Sequence, residues 1–417
     1  MAGIIKSYIK KVQTWGLRGV WNFFIGKIEA RRLRHFFLAN ANSYPLSPSD
    51  HGVTIVAPFH ANYSLSKSMR DFIFSLHKAG ISFQTFDTSK KSEIVDSEIN
   101  PFLTPKKDFR ILKYSNVIEL FNGPVPKELG LKKSHIVFWE FESGLIETFP
   151  GLQSEDLVIA MSDFNLETFR KQLPDSTPVK KILYPFQFDV LDIPARDDVR
   201  EQYGIRKDDF VVFFNFDYGS SFFRKNPDGA MRAFAEAFRD VDNAKLVFKT
   251  NHVKEHRDKQ LQLAALANDL AIADKFITID EYISKRDVYG LTRCCDLYLS
   301  LHRGEGFGLG VAEAMAMGKA VVVTDYSSTK EFCNSDNALP ISYSMINLTK
   351  ADRDHPCYLS VTSCANPDIH EAARAMRKCY DDPVFCKELG AKAKDFIFSY
   401  FSTENFRKSM EQFLSHE

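Results

Sequence analysis

Short apolar runs and amphipathic helical patterns alternate along the first half of the chain. An apolar run at 52–58 precedes a helical pattern at 65–79, and another apolar run follows at 81–86. Ser162 stands where it can cap a helix that begins near Asp163. This alternation predicts parallel strands joined by helices. Further strands are predicted at 116–120, 135–139, 157–161 and 182–186.

A second series of the same kind begins at residues 210–217, whose almost continuous apolar character is typical of a strand buried on both faces. Asn226 and Pro227 provide an N-cap and a first helical position. The pattern then predicts strands at 244–250, 275–280, 296–301 and 320–325, and helices at 255–270, at 284–294 and from 367 to the end.

The two series predict an α/β chain with two Rossmann-like domains. We expect basic helices at 1–45, a first domain at 46–190, a second at 191–395 and a terminal helix at 396–417. Ligands of such folds bind beyond the carboxyl ends of the strands, so the cleft between the domains is the expected site.

The segment 300–325 carries the strongest chemical signal. Its glycines at 304, 306, 308 and 310 prevent a regular helix and let the backbone approach a ligand closely. Residues 311–317 then form a helix that Gly318 ends. A helix start beside such a loop concentrates unpaired N–H groups, which predicts an anionic ligand near 307–310.

Glu305 and Glu313 flank this loop with seven residues between them. Carboxylates beside an anion site would repel the anion unless they contact neutral groups, and sugar hydroxyls are such groups. The alternative is that Glu305 is a loop charge and Glu313 part of a solvated helix face.

Composition excludes several other classes of protein. The 44% hydrophobic and 26% charged residues are those of a folded protein in water. Lys plus Arg and Asp plus Glu both total 54, which argues against nucleic-acid binding through overall positive charge. The seven cysteines contain no CxxC pair and predict a reducing cytoplasm. No apolar run approaches about 18 residues, so we expect neither a membrane span nor export.

The segment EGFGLGVAEAMAMGKAVVVTD resembles the E-x7-E motif of retaining glycosyltransferases of family 4, which have the GT-B fold. The resemblance implies a terminal helix that crosses back to the first domain. It also implies that Glu305 contacts the transferred sugar and that Glu313 binds the ribose of the donor. The backbone of Gly306, Phe307, Gly308, Leu309 and Gly310 would hold the diphosphate.

Arg224 and Lys225 precede the capped helix at Asn226, and their charges suit a nucleoside diphosphate. The resemblance makes Lys225 the diphosphate lysine. Many relatives also have an arginine where this chain has Gly219, so Arg224 is a candidate for that role. Lys249 and Tyr282 stand where relatives hold the nucleobase.

The first domain resembles the acceptor-binding half of the same enzymes less closely. Ser64 and Arg70 occupy the place of a Gly-rich loop and its helix without the glycines. Trp139 and Glu140 match a segment at the end of a strand, although several relatives have histidine at the position of Trp139. His60 is a weaker acceptor-side candidate, since a single histidine is more often structural.

The resemblance implies transfer of a sugar from GDP-mannose or a UDP-sugar to a glycan or lipid-linked glycan, in cell-surface polysaccharide synthesis. No D-x-D set occurs in a strand-loop context, so we expect no metal ion and no other cofactor, and no nucleic-acid partner. A scaffold protein with a decayed nucleotide-sugar site is the alternative. An epimerase of the same fold is a third interpretation, weakened by the E-x7-E spacing.

Residues 1–36 contain eight Lys or Arg and one acid, so this segment carries +7 and the rest of the chain −7. Ile5 and Ile9 recur at helical spacing, and Trp15 and Trp21 suit a membrane interface. The segment predicts peripheral contact with the inner face of an anionic cytoplasmic membrane. A basic helix packed on the first domain is the alternative.

Overall fold

The computed structural model describes residues 34, 38, 49–60, 64–89, 97–104, 114–120, 129, 131–188 and 192–415. The basic segment 1–36 lies outside these residues apart from the exposed Arg34, and the helical region predicted at 1–45 lies outside them apart from Arg34 and Leu38.

The first domain is built on a parallel sheet, which has six strands within the described residues. The strand order is β2-β1-β3-β4-β5-β6, and every pairing is parallel. The strands are β1 Ser49–Ala57, β2 Ser82–Asp87, β3 Tyr114–Leu120, β4 Lys132–Ile136, β5 Leu157–Ala160 and β6 Val179–Lys181. The helices are α1 Ser64–Ala79, α2 Leu145–Thr148 and α3 Asp163–Gln172.

The second domain repeats this plan in the order β12-β11-β10-β7-β8-β9, again six parallel strands in the described part of the chain. Its strands are β7 Phe210–Asp217, β8 Ala244–Asn251, β9 Phe276–Ile279, β10 Leu297–Ser300, β11 Ala320–Thr324 and β12 Leu339–Ile341. Its helices are α4 Arg196–Gln202, α5 Phe222–Lys225, α6 Pro227–Phe238, α7 Arg257–Asp269, α8 Lys285–Cys294 and α9 Leu309–Ala316. The predicted α/β fold with two sheets is confirmed.

A hairpin and a helical end complete the structure. The antiparallel strands β13 Tyr343–Asn347 and β14 Ser363–Pro367 follow the second sheet. The helices α10 Ile369–Asp381, α11 Pro383–Tyr400 and α12 Thr403–Ser415 come last.

Helix α12 packs on the first domain, although the chain reaches it from the second. The Phe406 ring meets the Phe72 ring of α1 edge-on at 5.7 Å, and Arg407 Nε donates to the Ala79 carbonyl at 3.0 Å. Met410 and Phe413 are buried in the same core. As far as the structure describes the chain, it crosses between the domains before α4 and again before α12.

Two predicted strands differ from the strands in the structure. The strand predicted at 182–186 is absent from the described region, where β6 ends at Lys181. Pro185 has no amide hydrogen for a sheet ladder. The strand predicted at 135–139 is Lys132–Ile136 instead, so Trp139 and Glu140 follow the strand rather than end it.

Candidate functional site

The Gly-rich loop after β10 turns the chain directly into α9. Gly308 has a φ of +93° and precedes the helix, and a Cβ atom there would lie 2.5 Å from Cγ2 of Thr329. Only glycine fits this backbone conformation and this space. Among the described residues, no side chain caps the start of α9. Its first amide groups are therefore available to an anion.

Glu305 lies in this loop between two cations. Lys225 Nζ donates a short hydrogen bond to Oε1, and Arg224 Nη1 lies 3.3 Å from Oε2. Burial alone would raise the pKa of Glu305, but the charges of Lys225 and Arg224 outweigh it and lower that pKa to about 2. The carboxylate is therefore ionised at any physiological pH.

Local backbone geometry fixes the two cations. Ser221 Oγ accepts a hydrogen bond from the Arg224 amide at 3.1 Å and donates one to Asp354 at 2.6 Å. Asn226 adopts a left-handed conformation that separates α5 from α6, and its Oδ1 accepts from the Gly229 amide at 3.2 Å. The predicted N-cap at Asn226 is confirmed. Because Asn226 Nδ2 also donates to the Leu301 carbonyl at 2.8 Å, the cation pair is tied to the end of β10.

Arg224 reaches from the second domain toward the first. Its guanidinium lies 5.8 Å from the centre of the Tyr358 ring, and Nη2 lies 3.9 Å from Glu140 Oε1. Burial opposes the charge, yet Tyr358, Glu305 and Glu140 keep the pKa of Arg224 above its ordinary value. Burial also raises the pKa of Glu140 and lowers that of Lys225. The cluster of two carboxylates and two cations is thus compact and nearly dry.

Glu313 lies further along α9 in a different setting. Tyr289 Oη of α8 donates to its Oε1 at 2.8 Å, and Lys67 Nζ of α1 lies 3.8 Å from the same oxygen. Lys67 and Tyr289 were not predicted from the sequence. Lys67 has one sequence signal, its position in the first turn of the helix that follows the carboxyl end of β1.

His60 and Arg70 lie near the carboxyl end of β1. His60 Nδ1 lies 2.7 Å from Asp87 Oδ2, and its Nε2 lies 3.1 Å from Asn100 Oδ1. Arg70 is buried, and its Nη1 donates to the Phe59 carbonyl at 2.6 Å. This hydrogen bond ties the Arg70 guanidinium to the turn after β1. Ser64 begins α1, and its side chain lies outside the described part of the structure.

Trp139 and Glu140 are adjacent in sequence but face different surroundings. The Trp139 indole is 1% exposed and packs edge-on against the rings of Phe149 and Tyr358. It belongs to the core in this conformation and not to a cleft wall. Glu140 faces the Gly-rich loop, where its Oε1 is 3.7 Å from the position of a Cβ on Gly306.

The side chain of Phe307 joins the two domains. Its ring stacks on that of Tyr184 with centroids 3.5 Å apart and an interplanar angle of 8°. Phe307 can therefore contact a ligand only through its backbone. Gly306, Leu309 and Gly310 lie beside it in the loop and the first turn of α9.

The two predicted nucleobase residues lie on β8 and after β9, the two strands that follow β7 in the second sheet. Lys249 is buried at the end of β8, and its Nζ donates to the Thr250 carbonyl and to Asn251 Oδ1 at 2.9 Å. Burial lowers the pKa of Lys249. Tyr282 is 72% exposed. Within the described residues, the cations that pair with Glu305 are Lys225 and Arg224 and not Lys249.

The hairpin β13–β14 and its loop contribute site residues that the sequence did not indicate. Tyr358 packs edge-on against Phe141 of the first domain at 4.9 Å, and Thr148 Oγ1 donates to the Cys357 carbonyl at 2.8 Å. The loop therefore covers one side of Arg224 and contacts both domains. Its signal is weak in the sequence, because β13 is mostly exposed and lacks an apolar run.

The described part of the chain contains neither a cluster of metal ligands nor a membrane-spanning helix. No three His, Cys, Asp or Glu residues in this part of the chain are grouped as metal ligands. None of the helices described is both long enough and apolar enough for a transmembrane span.

The second domain is similar to known proteins. Residues 195–340 match the Glycosyl transferases group 1 family. A protein of Acidianus filamentous virus 2, ORF330, named as a candidate glycosyltransferase, is 28% identical over 184 residues. That match covers 43% of this chain and 48% of the viral protein, so the chain spans about half the length of this curated relative.

Solved structures resemble most of the chain in fold. HepE of Anabaena, crystallised with UDP and glucose, is 14% identical with a TM-score of 0.59, covering 88% of this chain and 100% of HepE. Sucrose-phosphate synthase of Thermosynechococcus elongatus is 13% identical with a TM-score of 0.59, covering 87% and 98%. WaaG, a glycosyltransferase involved in lipopolysaccharide biosynthesis, is 14% identical with a TM-score of 0.56, covering 88% and 100%. The chain thus has the GT-B fold, and its residues 195–340 match the Glycosyl transferases group 1 family.

Proposed function

We propose that the chain is a retaining glycosyltransferase that moves a sugar from a nucleoside diphosphate sugar to a hydroxyl of a glycan or lipid-linked glycan. The observation that carries this proposal is the ionised Glu305 held between Lys225 and Arg224, next to the uncapped start of α9. The match of residues 195–340 to the Glycosyl transferases group 1 family supports the proposal. HepE, which holds UDP and glucose, supports a UDP-sugar, and GDP-mannose remains the other candidate donor.

The site suits departure of a diphosphate. When the bond between the anomeric carbon and the diphosphate oxygen breaks, negative charge grows on that oxygen. The amides of α9 and the ammonium of Lys225 are placed to stabilise this charge in surroundings that exclude water. The diphosphate would share Lys225 with Glu305, because the two side chains form an ion pair in this structure.

Glu305 would orient the sugar rather than attack it. A carboxylate with a pKa of about 2 remains an acceptor for hydrogen bonds from sugar hydroxyls. The acceptor hydroxyl would then bond to the anomeric carbon on the face that the diphosphate leaves, and a phosphate oxygen would take its proton. Attack on that face retains the anomeric configuration.

Glu140, with Trp139 behind it, is the acceptor-side group closest to this centre, and His60, Ser64 and Arg70 belong to the same domain. We propose that no metal ion is needed, because two side-chain cations and a helix start already supply positive charge. The basic segment 1–36 would hold the enzyme on the inner face of the cytoplasmic membrane, where lipid-linked acceptors of cell-surface polysaccharides are found.

A panel of nucleotide sugars tests the proposal. UDP-glucose, UDP-N-acetylglucosamine and GDP-mannose are supplied separately, and release of the nucleotide is measured with and without glycan acceptors. Turnover of one donor, lost in Glu305→Gln, is expected, and the anomeric configuration of the product shows retention or inversion. Binding without turnover would favour the scaffold alternative. The absence of both binding and turnover would refute the transferase and the scaffold interpretations.

A further inference from the structure

A second polar cluster crosses the domain boundary around Glu313. Lys67 Nζ of α1 donates to Asp71 Oδ2 at 2.6 Å and lies 3.8 Å from Glu313 Oε1 of α9. Tyr289 Oη of α8 donates to the same Glu313 oxygen, and Lys285 Nζ lies 5.3 Å from the centre of the Tyr289 ring. One helix of the first domain and two of the second thus supply the cluster.

Helix α1 is held in register with the Gly-rich loop. Ser68, next to Lys67, hydrogen-bonds through Oγ to Tyr184 Oη at 2.6 Å, and the Tyr184 ring stacks on Phe307. A shift of α1 would break this buried contact. The position of Lys67 relative to α9 is therefore set by packing and not only by its ion pairs.

The charges of the cluster are largely removed from water. The exposed fractions of the side chains are 13% for Lys67, 7% for Asp71 and 13% for Glu313. Burial alone would lower the pKa of Lys67, but Asp71 and Glu313 outweigh it and raise that pKa. The ammonium group stays charged, and its attraction to Glu313 is weakly screened at this depth.

Glu313 is four residues beyond Leu309, the first residue of α9, which places it about 6 Å along the helix axis at 1.5 Å per residue. A ligand with an anion at the helix start and hydroxyls about 6 Å away would meet both features. A nucleoside diphosphate has this arrangement of phosphate and ribose. Lys67 lies at the ribose end.

We propose that Lys67 is a positioning residue of the donor site, supplied by the first domain, which holds Glu313 in place for the ribose hydroxyls. This inference rests on the proposed function. Asp71, one turn further along α1, anchors Lys67, and Tyr289 of the second domain donates to the Glu313 carboxylate. Donor affinity consequently depends on contact between the domains and not on the second domain alone.

Calorimetric titration with UDP and with GDP tests this role in the full chain. For whichever nucleotide the wild type binds, Lys67→Met is expected to raise the dissociation constant at least tenfold. Lys67→Arg keeps the charge, so its dissociation constant should stay within about threefold of the wild type. The Lys67→Met, Glu313→Gln double variant is expected to bind no more weakly than the poorer single variant, because both changes remove one interaction. With the active donor, KM should rise in Lys67→Met while kcat is retained.

Lys78→Met is the matched control, because Lys78 is exposed on the same helix and donates to Gln187. It should bind like the wild type. Equal affinity of Lys67→Met and wild type, or additive losses in the double variant, would overturn the inference and leave the proposed function standing. A wild type that binds neither nucleotide and turns over no donor would remove the proposed function, and the donor role of Lys67 with it. Lys67→Gln replaces Lys67→Met if circular dichroism shows the latter unfolded.

Discussion

Glu305→Gln is the most informative single substitution for the electrostatics of the site. Glutamine keeps the shape of the side chain but removes the charge between Lys225 and Arg224. These two cations would then face each other in a buried place with Glu140 as the remaining carboxylate. We expect a less stable protein with little change in backbone structure.

The magnitude follows from the pKa of Glu305. A fall from 4.5 to about 2 corresponds to ~3 kcal/mol at about 1.4 kcal/mol per pKa unit. The lysine does not share this gain, because burial lowers the pKa of Lys225 despite the pairing. Removal of one partner from a buried pair nevertheless costs about 3 to 5 kcal/mol, since the other charge is left uncompensated. We therefore expect a loss of about 3 kcal/mol in the free energy of unfolding.

Urea unfolding followed by circular dichroism measures this loss at several pH values. A lowered carboxylate pKa stabilises the fold above the ordinary pKa of 4.5, and the contribution disappears as the pH falls toward about 2. The difference between wild type and Glu305→Gln should therefore shrink over that interval. Glu404→Gln, at an exposed ion pair with Arg407, is the control and should cost less than about 0.5 kcal/mol. A loss below about 1 kcal/mol at pH 7, or one independent of pH, would refute the reasoning.

Four further predictions concern the ligands. Lys225→Ala should reduce kcat more than donor affinity, because charge on the leaving diphosphate grows toward the transition state. If Lys225 only binds the donor, steady-state kinetics would instead show a raised KM with kcat retained. Glu313→Ala should raise the donor dissociation constant more than tenfold, about 1.5 to 3 kcal/mol, and unchanged calorimetric affinity would remove this residue from the site. Activity should persist in EDTA, whereas loss restored by manganese would require a metal. Full-length protein should float with anionic liposomes and a chain starting at Ser43 should not, at ~1 kcal/mol per basic residue; equal flotation would contradict the membrane role of residues 1–36.

The sequence predicted the strands of both sheets where apolar runs are dense. Residues 210–217 and 320–325 are examples, since burial on both faces leaves few polar positions. The hairpin β13–β14 escaped prediction because Tyr343 and Met345 are exposed and no apolar run marks the strand. Local periodicity reports burial, so strands that lie on the surface give little signal.

The site was predictable where the chain itself brings residues together. Glu305 and the start of α9 belong to one segment, and glycine spacing indicated their chemistry. Lys67 and Tyr358 reach the site through contacts between residues far apart in sequence, which composition and spacing do not encode. Trp139 follows a strand, which led to the prediction that it lies at the cleft. In the structure its indole is buried in the core instead.

The path of the chain has a consequence for synthesis on the ribosome. Domains generally fold from the amino terminus as the chain emerges, yet α1 of the first domain packs against α12, the last helix described. Nearly the whole chain must leave the ribosome before Phe72 is buried against Phe406. A nascent chain stalled before Thr403 would thus present an unfinished first domain to chaperones, even though all of its own strands had already been made.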